Sequence, residues 1–173
     1  MEPGRGRGFR LVAATPADAA EIAALRNAAA EDLTRRFGKG HWSGAASEKG
    51  VRYDLRTSTV WVVRSRGRII ATLRLATRKP WAIDTSYFTP SARPLYLTSM
   101  AVTPGRQRAG VGRRCLEHAL RVARDWPADA IRLDAYDAPA GAGEFYRRCG
   151  LREVGRTSYK GNPLVYFETP VPE

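Results

Sequence analysis

The sequence predicts a mixed α/β fold, with helices packed on a sheet. Short runs rich in β-branched and aromatic residues recur along the chain, apolar residues recur at helical spacing in two segments, and a glycine-bearing turn runs from a strand straight into the second of those helices. A length of 173 residues suits one globular unit. With 43% hydrophobic and 27% charged residues, the composition is ordinary for a chain that buries a core. Residues 1–8, rich in glycine and arginine, are expected to form a flexible tail, and residues 9–170 a single domain.

The elements follow in order. Phe9 to Ala13 has the length and apolar bias of a strand. Thr15-Pro16-Ala17-Asp18 then opens a helix: Thr15 suits the cap, Pro16 the first helical position, and Asp18 completes a capping-box pattern. Ile22, Leu25, Ala29 and Leu33 give that helix one face to bury. From Thr34 to Arg56 the periodicity fades, which predicts a loop or short helix over a pocket, carrying His41 and Trp42. Thr59 to Val63 and Ile69 to Leu75 flank a turn containing Gly67 and predict a hairpin. Thr77 to Pro94 is irregular, holds Trp81, Tyr87 and Phe88, and is expected to be a second pocket-facing loop.

Leu95 to Val102 returns to strand composition. A helix is predicted from about Gly112 to Trp126, with Val111, Cys115, Ala119, Val122 and Trp126 as its stripe and Leu116, Leu120 and Ala123 beside it. Ile131 to Tyr136 alternates like a strand. Gly143 to Arg148 reads as a short helix stopped by Gly150, and Arg152 to Arg156 and Leu164 to Glu168 as two closing strands.

The formal charge is +12, and most of it comes from arginines scattered along the chain. That pattern describes a solvated surface better than a dedicated nucleic-acid face, although the charge permits nucleic-acid association. Nothing approaches the ~20 apolar residues that span a bilayer, and the N-terminus lacks a secretory signal, so a cytoplasmic location is expected. Cys115 and Cys149 are too few for a disulfide framework and read as buried small hydrophobes. No metal-ligand spacing is apparent.

The informative segment is Pro104-Gly105-Arg106-Gln107-Arg108-Ala109-Gly110-Val111-Gly112, between strand and helix. A glycine turn feeding a helix N-terminus leaves backbone N–H groups unpaired, with the positive end of the helix dipole behind them. Gly110 and Gly112 lack Cβ atoms where a diphosphate would approach the backbone, and Arg106, Arg108, Arg113 and Arg114 add charge there. There is no Gly-Lys-Ser or Gly-Lys-Thr ending of a Walker loop and no third glycine of a dinucleotide fingerprint.

These residues resemble the acetyl-CoA loop of the GNAT acyl-CoA N-acyltransferases, whose pattern is Gln or Arg, any two residues, Gly, any one, then Gly or Ala: here Gln107-Arg108-Ala109-Gly110-Val111-Gly112. Upstream, Leu97 to Val102 looks like the family's fourth strand. Downstream, Gly143 to Leu151 looks like its aromatic-Tyr-three-residue-Gly signature, with Tyr146 at the tyrosine. The family often carries Asn seven residues before that tyrosine, where this chain has Pro139.

The resemblance implies a central, largely antiparallel sheet, splayed where acetyl-CoA enters and flanked by helices on both faces. It implies direct attack of a primary amine on the thioester. Met100, Ala101 and Val102 would supply backbone N–H groups to the carbonyl oxygen. Gln107, Arg108, Ala109, Gly110, Val111, Gly112 and Arg113 would hold the diphosphate. Tyr146, a phenol with reference pKa near ~10, would protonate the departing thiolate of about 8.5. Asp134 is the foremost candidate base, with Glu48, His41 and Asp84 in the two irregular segments as others; His118 is expected to face solvent. The aromatic segments around Trp42 and Trp81, with Tyr96 and Thr98 from the strand, are candidate acceptor walls. A homodimer is compatible with the family's habits. Two rival readings are an acyl-CoA-sensing module without catalysis, against which Tyr146 argues, and a nucleic-acid-directed acyltransferase or binding protein.

Overall fold

In the computed structural model, which describes residues 9–173, the chain begins with a short strand β1 (Leu11–Ala13) and a 3₁₀ turn (Pro16–Asp18) leading into α1 (Ala19–Phe37). The tail expected over residues 1–8 lies outside the described residues. At the junction the Thr15 N–H donates to the Asp18 carboxylate at 2.9 Å, and the Asp18 N–H donates to the Thr15 carbonyl at 2.9 Å. Arg64 also pairs with Asp18, tying the helix start to the sheet. A second 3₁₀ turn (His41–Ser43) precedes α2 (Glu48–Thr57), capped by the Ser47 hydroxyl, which accepts from the Gly50 N–H at 3.0 Å.

The hairpin β2 (Thr59–Ser65) and β3 (Arg68–Ala76) follows as expected, then β4 (Pro94–Val102), α3 (Val111–Asp125), β5 (Ala130–Tyr136), α4 (Gly143–Arg148), β6 (Arg152–Tyr159) and β7 (Asn162–Pro170). The strands join one seven-stranded sheet in the order β1-β2-β3-β4-β5-β7-β6, antiparallel except for β4 against β5.

Side-chain alternation divides the core between the sheet's two faces. Leu73, Leu97, Leu133 and Phe167 face α3 and α4, where Cys115, Leu116, Ala119 and Ala123 meet them. On the opposite face Ile22 and Leu25 of α1 and Val51 of α2 pack on Val60 and Val62. Tyr96 and Tyr166 share that face with Ile83 and Phe88. Residue 122 is only partly buried and Trp126 is 55% exposed, so the buried stripe of α3 runs instead through Val111, Cys115, Leu116, Ala119 and Ala123. Cys115 is fully buried, and burial pushes its thiol up to about 12; Cys149 is only half-buried.

The segment between β3 and β4 differs from its expected place. It folds back on the outer half of the sheet, where the Asp84 N–H donates to the Tyr166 hydroxyl at 3.1 Å and Phe88 lies 5.2 Å from the Tyr166 ring. It therefore does not wall the cleft described below, and Trp81 is 81% exposed.

The sheet opens between β4 and β5. They are paired only at Pro94–Ala130, Leu95–Ile131 and Tyr96–Arg132. Beyond that, β5 stays zipped to β7 as far as Tyr136, and β4 stays with β3 as far as Val102. A bulge bends β4 just past the last shared rung: Thr72 pairs with Ala101 and Arg74 with Thr98, so Ser99 and Met100 oppose the single residue Leu73. Ser99 sits at φ 51°, a left-handed conformation costing about 1 kcal/mol for a residue with a Cβ. Leu73, fully buried behind the bulge, holds this bend from the α3 side. Leu73→Ala should lower unfolding free energy by about 2–5 kcal/mol, as measured by urea denaturation monitored by tryptophan fluorescence; a change below about 1 kcal/mol would show that the bend does not depend on that packing.

Candidate active site

The opening between β4 and β5 becomes a cleft that α1 overlies along its length. At one end, about 370 Å³ lies between Met100 to Val102, Gln107, Arg108 and Gly112 on one side and Leu33, Arg36 and Phe37 of α1 on the other, with residues 139–142 and Tyr146 closing it. The other end, about 390 Å³, is lined by Leu97 to Met100, Asp134, Tyr136 and Trp42. Leu33, Met100, Ala140 to Ala142 and Tyr146 line both, which makes one continuous passage.

A larger hollow of about 510 Å³ lies elsewhere, between Thr89 to Ser91 and the ends of β5 to β7. Its charged groups are already engaged. Glu168 accepts from Thr89 and Arg152, and Asp129 accepts from the Ala92 and Arg93 N–H groups, which leaves little to act on a ligand.

The turn before α3 has the geometry of an anion site. Gly110 caps the helix at φ +79° and Arg108 stands at φ 62°, so the backbone reverses through two left-handed residues. From Arg108 to Arg113 the backbone N–H groups donate no well-aligned hydrogen bond to any carbonyl or side chain among the described residues. The positive end of the α3 dipole lies behind them. Space beside the Gly110 Cα is open to 4 Å, so a ligand can approach this backbone closely. These free donors, an open backbone and the long passage beside them fit an elongated ligand that carries phosphate.

The expected diphosphate residues do not all face this passage. Gln107, Arg108 and Gly112 line it. The Gln107 amide nitrogen is committed to the Val102 carbonyl at 3.1 Å, stapling the turn to the strand end. Ala109 and Gly110 lie on the exposed turn, Val111 is buried in the core with its side chain, and the Arg113 guanidinium reaches the Arg148 carbonyl at 2.7 Å. Any role of Ala109, Val111 and Arg113 there runs through their backbone N–H groups.

The strand edge has a defined polarity. The Thr103 N–H donates to Ile70 on β3 at 2.8 Å, so ladder alternation turns the N–H and C=O of Val102 toward the opening. Thr98 and Asp134 lie on the α1 face of the sheet, whereas Tyr146 comes from α4 on the other; all three line the same end of the cleft. The Thr98 hydroxyl is buried with no hydrogen-bond partner.

Asp134 is the only charged residue lining that end, and no ion pair supports it among the described residues. Burial pushes its carboxyl above the ordinary carboxylate value, which makes it a stronger proton acceptor than an exposed aspartate. Tyr146 is buried, and its phenol is raised first by burial and then by the nearby Asp134 charge, so it stays protonated.

The other candidate bases lie apart. Glu48 pairs with Arg52 on the exposed side of α2, and Asp84 caps the Thr85–Tyr87 turn on the outer half of the sheet. His41 presents its backbone carbonyl, which accepts from the Tyr136 hydroxyl at 3.3 Å, while its residue is exposed. His118, expected in solvent, is half-buried with its ring 5.7 Å from Phe9. Tyr96 is buried and its hydroxyl accepts from Arg132 at 3.3 Å.

Three features were not singled out from sequence. Arg36 faces the phosphate turn across the passage, and nothing in the last turn of α1 marks it out from Arg35. The bulge at Ser99 has no residue signature. Gly141 is obligatory because a Cβ there would stand 1.8 Å from the Tyr136 carbonyl oxygen, and a glycine inside the small-residue run 138–143 was the available signal.

A bulged strand parted from its parallel neighbour, with a free-donor turn at its end, places the chain in a class of α/β folds built on a splayed sheet. The chain belongs to the acetyltransferase (GNAT) family, whose sequence model matches residues 22–151. Its fold is shared by a Staphylococcus aureus N-acetyltransferase, at TM-score 0.70 and 14% identity over 95% of this chain and 99% of that one. The Escherichia coli ribosomal-protein-S18-alanine N-acetyltransferase superposes at TM-score 0.69 with 16% identity, covering 95% of each chain. The Salmonella typhimurium protein yncA, solved with its cofactor acetyl-CoA, gives TM-score 0.68 with 16% identity over 96% of each. No protein of curated function matches the chain in sequence.

The raised Asp134 carboxyl has a consequence for stability. The folded chain keeps this proton to higher pH than the unfolded chain, whose carboxyl ionises near ~3.9. Stability is therefore lost as pH rises from that value through the raised native one. Asp134→Asn should melt a few degrees above the native protein at about pH 8, with the difference closing near about pH 3.5. Scanning calorimetry at both pH values checks this, and an equal difference at both would contradict it.

Proposed function

We propose that the protein transfers an acetyl group from acetyl-CoA to a primary amine, with residues 9–170 acting as one acetyltransferase domain. The observation that carries this is the run of unspent N–H groups from Arg108 to Arg113 at the mouth of a cleft that also holds Tyr146 and Asp134. Family membership supports it, as does the likeness of fold to a protein solved with acetyl-CoA.

Acetyl-CoA, when bound, supplies an activated acetyl group as a thioester. In this reading the backbone of Arg108 to Arg113 and the guanidiniums of Arg108 and Arg36 hold its phosphates. The N–H groups of the opened edge of β4, Val102 foremost and Met100 beside it, take up the negative charge that develops on the carbonyl oxygen, whereas the alternation that turns Val102 outward turns the N–H of Ala101 toward Thr72 of β3. Asp134 accepts a proton from the acceptor ammonium, which must be neutral to attack. The new C–N bond forms as the C–S bond breaks. Of the two protons the ammonium gives up, one leaves through Asp134 to solvent and the other ends on the CoA sulfur through Tyr146. Burial raises the departing thiolate as it raises the phenol, because each would carry its charge in the same dry cleft.

A sensing module that binds acyl-CoA without turnover would need neither group. Two measurements test the proposal, and the second separates it from a sensing module. Calorimetric titration should give saturable one-to-one binding of acetyl-CoA and of desulfo-CoA, abolished in a folded Gly110→Asp, Gly112→Asp variant; no binding by the native protein would sink the proposal. Tyr146→Phe should bind acetyl-CoA normally and lower kcat by about 10²–10⁴-fold, whereas unchanged turnover would remove Tyr146 from the chemistry.

A further inference from the structure

The acceptor end of the cleft has walls of unlike character. Trp42 is fixed: its indole N–H donates to the Gly38 carbonyl at 2.9 Å, and its ring meets Tyr136 edge-on at 6.2 Å. The turn carrying it is tied to α1 by a 2.7 Å hydrogen bond between the Ser43 and Thr34 hydroxyls, and Gly40 lets the indole lie against its backbone, where a Cβ would stand 2.5 Å from the ring. The Tyr136 hydroxyl is spent on the His41 carbonyl, so this residue offers the cleft its ring. Leu33 and Leu97 add aliphatic surface.

Two polar groups on the same face of the sheet border that apolar corner. Asp134 is the single charge of the lining, and the Thr98 hydroxyl is buried without a partner. A buried hydroxyl left unpaired costs about 1–3 kcal/mol, an arrangement that makes sense where a ligand supplies the missing bond. No cation lines this end to meet a carboxylate, and any carboxylate brought in would face Asp134. At about 390 Å³ the space is at the small end of ligand clefts.

We propose that the acceptor is a compact primary amine with a flat or apolar body and no carboxylate, of the arylalkylamine class. Its ammonium sits between the Asp134 carboxylate and the Thr98 hydroxyl, and its body lies against Trp42 and Tyr136. This rests on the acetyl-transfer reading above and narrows its acceptor. The free charge on the amine offsets the isolation of Asp134, and the apolar body fills the corner that water would occupy poorly.

The test uses the full chain, with 2-phenylethylamine, phenylalanine and a short peptide with a free N-terminal alanine as probes. Thiol release from acetyl-CoA gives kcat/KM for each, and calorimetry gives the affinity of 2-phenylethylamine for protein saturated with desulfo-CoA. We expect 2-phenylethylamine to be acetylated with kcat/KM at least ~10-fold above both other probes. Thr98→Val should weaken its calorimetric binding about 10-fold, as loss of one hydrogen bond to a charged group does. Trp42→Ala should raise KM for 2-phenylethylamine more than for ethylamine.

Equal turnover of phenylalanine, faster turnover of the peptide, or amine binding indifferent to both substitutions would overturn the proposal. Acetyl-CoA binding with no acetylation of 2-phenylethylamine would overturn the acceptor class alone, whereas absence of acetyl-CoA binding would overturn the transfer reading as well.

Discussion

Everything functional in this molecule depends on β4 and β5 pairing for three rungs and no further. A parallel pair that stops at Tyr96 and Arg132 exposes two strand edges in the middle of a sheet, where backbone groups are ordinarily satisfied. The molecule holds the edges apart from both sides: β7 follows β5 to its end, and the bulge at Ser99 keeps β4 with β3 while turning it away from β5. The gap is thus built by continued pairing on the outer edges. Part of the exposed edge is satisfied from within, because the Gln107 amide takes the Val102 carbonyl and so aligns the phosphate turn with the strand end.

The same parting brings together side chains that a continuous sheet would separate. Asp134 and Thr98 belong to the face covered by α1, and Tyr146 to the face covered by α4. In an unbroken sheet the backbone would lie between them. Here a group lying in the gap meets both, which suits a reaction that removes a proton on one side of the reacting carbon and delivers one on the other. The cost appears in the raised Asp134 carboxyl and the unpartnered Thr98 hydroxyl, two departures from the rule that buried polar groups are satisfied.

Much of this was legible in the residues. The capping pattern at Thr15 to Asp18, the hairpin around Gly67 and the glycine turn before α3 are local signals, and each element formed where its signal stood. Three features were only half legible. Helix α2 falls in the stretch expected as a loop or short helix, because only Val51 and Leu55, four residues apart, turn aliphatic side chains to the core among ten mostly polar residues. The β3–β4 segment is aromatic, which suits a pocket wall as well as a cover; its partner, Tyr166, is distant in sequence and decided the matter. Trp126 lies in phase with the α3 stripe, yet it stands past the last helical turn and half out of the protein. The bulge was invisible because serine has no preference for φ 51°.

The net charge of +12 says little about the cleft itself. Many of the arginines pair with neighbouring carboxylates, as in Arg147 with Glu153, Arg156 with Asp137 and Arg152 with Glu168, and none of these pairs lines the opening. Exposed pairs of that kind contribute little to stability. The cleft has its own polarity: Arg36, Arg108 and a row of unspent N–H groups at one end, a lone carboxylate at the other. In the proposed reaction a donor bearing phosphates is drawn to one end and a cation to the other, and the two meet head to head at Met100 and Tyr146, two of the residues common to both halves. Orientation of this kind lowers the entropy that must be lost before the transfer step. It follows from where the sheet opens, and the total number of arginines does not determine it.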